Sequence, residues 1–145
     1  MLLDANLLIY AHDASSPFHG RAHAWVEQQL NGPRQVAIPW VSTLAFLRLT
    51  TNPRVSERPL TPTQAWEHVE SWFESPVVWA PEPSHRHGDI LGRFVVELQL
   101  SANLIADAHL AALATEHGLE LFSADGDFAR FPGLRWRNPL LGDAR

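Results

Sequence analysis

Four aspartates in the 145-residue chain have the type and placement to act together: Asp4, Asp107, Asp125 and Asp127. Asp4 follows the apolar run Met1-Leu2-Leu3, and Asp125-Gly126-Asp127 follows the apolar stretch from Leu119 to Ser123, so both groups fall where a short strand gives way to a turn. In an open parallel sheet, ligands gather beyond the carboxyl ends of the strands where strand order reverses. If these two strands are neighbours, Asp4 and Asp125 converge. Asp127 then faces the same cleft across a tight glycine turn, and Asp107 joins from the N-terminal half of a helix. Carboxylates gathered so closely repel one another, and a bound cation resolves the repulsion. Hard oxygen donors in a chain without cysteine favour Mg²⁺, with Mn²⁺ as the alternative, over zinc. Taken singly, Asp4 reads as a helix cap, Asp107 as a solvated helix residue and Asp-Gly-Asp as a turn. Their joint placement is what points to a metal site.

The elements that must position these acids alternate. A strand at Met1–Leu3 is followed by a helix over Asn6–Ala11, and Ser16-Pro17 caps and opens a second helix stopped by Asn31-Gly32. Gln35–Pro39 reads as the second strand, with Ser42 capping a helix through Leu49 that ends before Asn52-Pro53. After a Pro-rich loop from Arg54, Thr61-Pro62 opens a helix carrying Trp66, Val69, Trp72 and Phe73, ended by Pro76. Val77–Ala80 is the third strand. A helical stretch follows over Ser84–Leu100, then a helix from Asn103 to His117-Gly118, the fourth strand Leu119–Ser123, a helical turn over Phe128–Phe131, and a possible edge strand Leu134–Arg137. Alternating strands and helices imply a three-layer α/β/α sandwich around a mainly parallel sheet of four to five strands, spanning residues 1–145 as one domain.

Composition narrows the function classes. With no cysteine, disulfides, thiolate zinc sites and cysteine nucleophiles are excluded. The formal charge of -5 without a basic run excludes a non-specific nucleic-acid binder that works by charge alone. There is no membrane-length apolar run, and the N-terminal residues lack the pattern of a signal peptide, so a cytoplasmic protein is expected. His85-x-His87 with Asp89 has zinc-ligand character but no matching partner, and reads as a solvated pair. His12, His19, His23, His68, His109 and His117 are scattered and read as surface or cap residues. Asn103 lies four residues before Asp107, on the same helix face, where it either steers a metal-bound water or caps its helix.

DANLLIYA from Asp4, ADAHLAALA around Asp107 and FSADGDF from Phe122 resemble the three acidic motifs of the PIN-domain nucleases. TNPRV after WVSTLAFLRL resembles the VapC toxins within that family. The resemblance covers almost the whole chain in the family's order and spacing. It implies a metal-dependent endoribonuclease in which Asp4, Asp107, Asp125 and Asp127 hold the ion, water attacks a phosphodiester, and the cut RNA, a tRNA or rRNA, keeps a 5′-phosphate. It also implies a homodimer and a cognate VapB-like antitoxin. Trp66, Trp72 and Trp79 are the tryptophans expected nearest such surfaces. Arg48 in particular, with Arg54, Arg130 and Arg135, is a candidate phosphate contact. One departure stands out: the family's glutamate on the helix after the second strand is matched here by Ala45. That keeps a catalytically silent PIN-like module, binding antitoxin or RNA without cutting, as the alternative, unless Asp89, Glu97 or Glu116 compensates.

Overall fold

The computed structural model describes residues 1–142. Five strands form a single all-parallel sheet: β1 (Leu2–Leu3), β2 (Val36–Ala37), β3 (Val78–Trp79), β4 (Leu121–Phe122) and β5 (Trp136–Arg137), in the order β3-β2-β1-β4-β5. Six helices connect them: α1 (Ala5–His12), α2 (His19–Leu30), α3 (Trp40–Thr50), α4 (Pro62–Glu74), α5 (His87–Glu97) and α6 (Leu104–Glu116), with a 3-10 turn over Gly126–Arg130. Among the described residues no helix is long and apolar enough to cross a membrane.

The period-two geometry of a strand divides the core in two. Leu2, Ala37 and Leu121 point to one face, where they pack with Ile90 and Phe94 of α5 and with the alanine- and leucine-rich α6. Leu3, Val36, Ile38 and Phe122 point to the other, against Leu7 and Leu8 of α1, Val26 of α2, Phe46 of α3, and Val69 and Trp72 of α4. Two helical layers on a sheet buried on both sides make the expected three-layer sandwich. The strands are near-continuously apolar because neither face meets water.

The structure corrects several local expectations. Ser42 does not cap α3. Pro39 is the residue before that helix, and the buried Ser42 Oγ donates to the carbonyl of Leu3 at 2.8 Å, tying α3 to the end of β1. The second helix begins at His19 rather than beside Ser16, whose hydroxyl accepts from Phe18 N–H in a preceding turn. The stretch expected to run to Leu100 stops at Glu97, and the link to α6 passes through Gln99 and Ala102 at φ 51° and 53°. These are left-handed positions with no glycine to announce them. Thr61 forms the anticipated cap, in a reciprocal box with Gln64.

Candidate active site

Strand order reverses at β1: the chain builds outward through β2 and β3 on one side, then returns to place β4 and β5 on the other. The crevice at this reversal is where Asp4 and the Asp125 turn emerge. The register Leu3↔Phe122 makes Asp4 and Ser123 the next residues along two paired strands, and Asp4 N–H still donates to the Phe122 carbonyl at 3.0 Å. Ser123, wholly buried, therefore reaches Asp4: its hydroxyl donates to Oδ2 at 2.8 Å. The other carboxylate oxygen accepts the N–H of Ala5 at 2.7 Å, so Asp4 also caps α1. Asn6 completes the arrangement, its amide nitrogen donating to Ser123 Oγ at 3.0 Å and its amide oxygen accepting from Ala124 N–H at 3.3 Å. Ser123 Oγ accepts as well from Asp125 N–H at 3.0 Å. One hydroxyl thus fixes both the first acid and the start of the loop carrying the other two. Sequence reasoning missed Asn6 and Ser123 as positioning residues, although both lie inside the motifs that carried the resemblance.

Asp125 accepts from the N–H of Asp127 at 2.9 Å and so caps the 3-10 turn, which brings the two carboxylates to one side. Asp107 projects from the first turn of α6. Single carboxylate oxygens of Asp107, Asp125 and Asp127 all lie within 4.8 Å of one another, the only such trio of potential ligand residues among the described residues. Asp4 stands beside this trio rather than within it, close enough to act on it electrostatically. Burial, then the charges of Asp125, Asp4 and Asp127, push the Asp107 carboxyl up from 3.8 to about 6, with Arg130 opposing. Burial also raises Asp4, against the Ser123 and Ala5 hydrogen bonds. Arg130 donates to the Asp127 carboxylate at 3.0 Å and to its carbonyl at 3.1 Å.

The other candidates fall elsewhere. Asn103 precedes α6 in helical conformation, exposed and without a capping bond to its side chain. Arg48 and Arg54 are exposed, and neither forms an ion pair among the described residues. Arg135 donates to the Gly118 carbonyl at 2.7 Å. Ala45 is half-buried on α3. Glu116 offers no compensation for it: its side chain is fully buried, accepting from Ser84 N–H and His87 Nδ1 at 2.6 Å each. Asp89 and Glu97 are exposed at opposite ends of α5.

His87 corrects an expectation in the same contact. It is buried, not solvated, and its Nε2 lies 3.1 Å from His109 Nδ1. Trp72 is a core residue and Trp79 is half-buried, so of the three tryptophans expected at a surface only Trp66 is exposed, at 45%. Trp40, which sequence reasoning passed over, is 47% exposed and stacks on Phe73 with ring centroids 5.7 Å apart.

The PIN domain family model matches residues 1–134. Ribonuclease VapC37 of Mycobacterium tuberculosis is 41% identical over 138 residues, covering 95% of this chain and 96% of its own. Among solved structures, a toxin-antitoxin complex from Klebsiella pneumoniae superimposes with a TM-score of 0.62 at 21% identity, covering 95% of this chain and 96% of that one. The sarcin-ricin loop cleaving toxin VapC20 of Mycobacterium tuberculosis gives 0.65 at 18% identity, covering 92% and 98%. With its sheet order, its acid-bearing crevice and a family match across nearly its whole length, the chain belongs to the PIN domain family, on the branch whose curated relatives are named VapC ribonucleases.

Proposed function

We propose that the chain is a divalent-metal-dependent endoribonuclease of the toxin type, with Asp4, Asp107, Asp125 and Asp127 at its centre. The observation that carries this is the convergence of three carboxylates within 4.8 Å at the reversal of the sheet, in a chain 41% identical to a named ribonuclease. The donor set fits a small hard cation. It is all oxygen and partly desolvated, and burial together with the neighbouring acids pushes Asp107 up to about 6 despite the opposing charge of Arg130. Mg²⁺ is the ion this set favours, with Mn²⁺ as substitute.

A bound divalent cation supplies an activated water and offsets charge on the leaving oxygen. The chain's own groups do the positioning. Asp107, Asp125 and Asp127 provide the ligand oxygens, while Asp4, held by Ala5 N–H and the Ser123 hydroxyl, presents a fourth carboxylate in one fixed orientation. Arg130 holds Asp127 in the same crevice and brings a guanidinium within reach of an incoming phosphate. Arg48 and Asn103, both exposed and outside the acid trio, belong to this reading as further contacts to the substrate. The substrate is RNA, by similarity to relatives named ribonucleases.

A cognate VapB-like antitoxin silences the enzyme in this reading, which the likeness to a toxin-antitoxin complex supports. A homodimer belongs to it as well, and exposed Trp40, Leu44 and Trp66 offer apolar surface for protein contact. Purified, antitoxin-free protein should cut structured RNA when Mg²⁺ or Mn²⁺ is supplied, and Asp4→Asn should abolish the cut. Ala45 favours one competing reading, a silent module that binds without cleaving. Absence of cleavage by folded protein with either ion, alongside retained RNA binding, would establish that reading instead.

A further inference from the structure

Four of the histidines that look scattered along the chain line one cavity of about 280 Å³ at the far end of α1 from Asp4. His12 ends α1, His19 and His23 lie one turn apart on α2, and His68 comes from α4. Glu27, one further turn along α2, lines the same space. Two of these rings are already oriented. His19 Nδ1 is 3.0 Å from the Tyr10 carbonyl and His23 Nδ1 is 3.3 Å from the Ala11 carbonyl. A carbonyl only accepts, so each Nδ1 carries the proton and each Nε2 keeps a free lone pair. A backbone carbonyl on one ring nitrogen is how metal-binding histidines are held with the other nitrogen ready. Spacing at i and i+4 on one helix face is a metal-chelating arrangement. Two imidazoles sharing an ion through Nε2, at a Zn–N distance of about 2.1 Å, place their ring centroids about 5–6 Å apart. His19 and His23 are at 5.6 Å.

We propose that His19 and His23 form a second metal site, separate from the acidic cluster, for a borderline cation such as Zn²⁺. Among the described residues the cavity holds no group of three mutually close ligand residues, so the proposed ion is a two-histidine chelate completed by water. His12 and His68, with ring centroids 4.7 Å apart, face it from α1 and α4. An ion on the two Nε2 atoms would fix both rings in the orientation in which their Nδ1 atoms bond the α1 carbonyls of Tyr10 and Ala11, at the opposite end of α1 from the Asp4 cap.

The test is equilibrium dialysis of tag-free, full-length protein against Zn²⁺ in a large excess of Mg²⁺, comparing wild type with Asp107→Asn, His23→Gln and His19→Gln. Wild type and Asp107→Asn should each retain one zinc with the same affinity. His23→Gln should bind it at least tenfold more weakly, with an unchanged far-ultraviolet circular dichroism spectrum because His23 is exposed and packs in no core cluster. His19→Gln should match it, and Co²⁺ in place of Zn²⁺ should give a visible absorption band lost in both histidine variants. No zinc retained by wild type, zinc lost with Asp107→Asn, or zinc held undiminished by both histidine variants would each overturn the proposal.

Discussion

Replacing Asp107 with asparagine should make the metal-free protein more stable, an unusual outcome for a change at a working centre. The carboxyl is pushed from 3.8 to about 6 by burial and by three neighbouring acids, so the fold prefers its protonated form. Between those two pH values the folded state binds more protons than the unfolded one, and stability falls as pH rises. The penalty is absent below the lower value, where both states are protonated, and complete above the upper one. At about 1.4 kcal/mol per pH unit the full displacement corresponds to about 3 kcal/mol. Asp107 is partly open to solvent, and screening, together with the favourable place of an acid in the first turn of a helix, cuts this to about 1 kcal/mol. Asparagine keeps the shape and removes the charge. In EDTA at pH 7.5 the variant should melt about 3–5 °C above wild type, and the gap should close by pH 4. Saturating Mg²⁺ should reverse the order, since an ion at about 100 times its dissociation constant adds about 2.7 kcal/mol to wild type and less to the variant. Differential scanning calorimetry across pH reads all three. A variant no more stable than wild type at pH 7.5 in EDTA, or a gap of equal size at pH 4 and 7.5, would mean that the folded protein carries no charge penalty at Asp107.

Three more substitutions separate positioning from chemistry. Ser123→Ala removes the hydroxyl shared by Asp4, Asn6 and Asp125 N–H, and should cost about 1–3 kcal/mol in urea unfolding while lowering RNA cleavage more than RNA binding. Arg130→Ala breaks an exposed pair, so its stability should change by less than about 1 kcal/mol. The same variant should show weaker substrate binding in filter assays and, without its cation, a higher Asp107 titration by carbonyl-region NMR. His87→Ala strands the fully buried Glu116 carboxylate and should lower stability by about 3–5 kcal/mol, seen by chemical denaturation, leaving Mg²⁺ affinity at the acids unchanged.

The sandwich was legible because its signals are local. Apolar runs bounded by turn residues marked the strands, Thr61-Pro62 marked α4, and Asp4 and Asp125 stood at fixed short offsets from strand ends. The acid site followed once β1 and β4 were taken as neighbours, and the sheet order makes them so. What stayed hidden depends on residues distant in sequence. Glu116 and His87 meet across 29 positions and leave no spacing to read, and of the four-histidine cavity, which draws on three helices, only the i, i+4 pair His19 and His23 does. The end of α5 was obscured because Gln99 and Ala102 adopt left-handed backbone that glycine usually signals. Trp72 proved to be core, and exposed Trp40 was not anticipated. Helical spacing alone identifies an apolar face without saying which of its members the next helix covers.

Whether Asp107, Asp125 and Asp127 hold the cation can be read from an anomalous difference map of crystals of the protein grown with Mn²⁺. A peak should appear within direct coordination distance of oxygens from all three side chains, with Asp4 beside it. A map from Mn²⁺-saturated crystals in which that crevice carries no peak, or in which the ion sits away from these carboxylates, would contradict it.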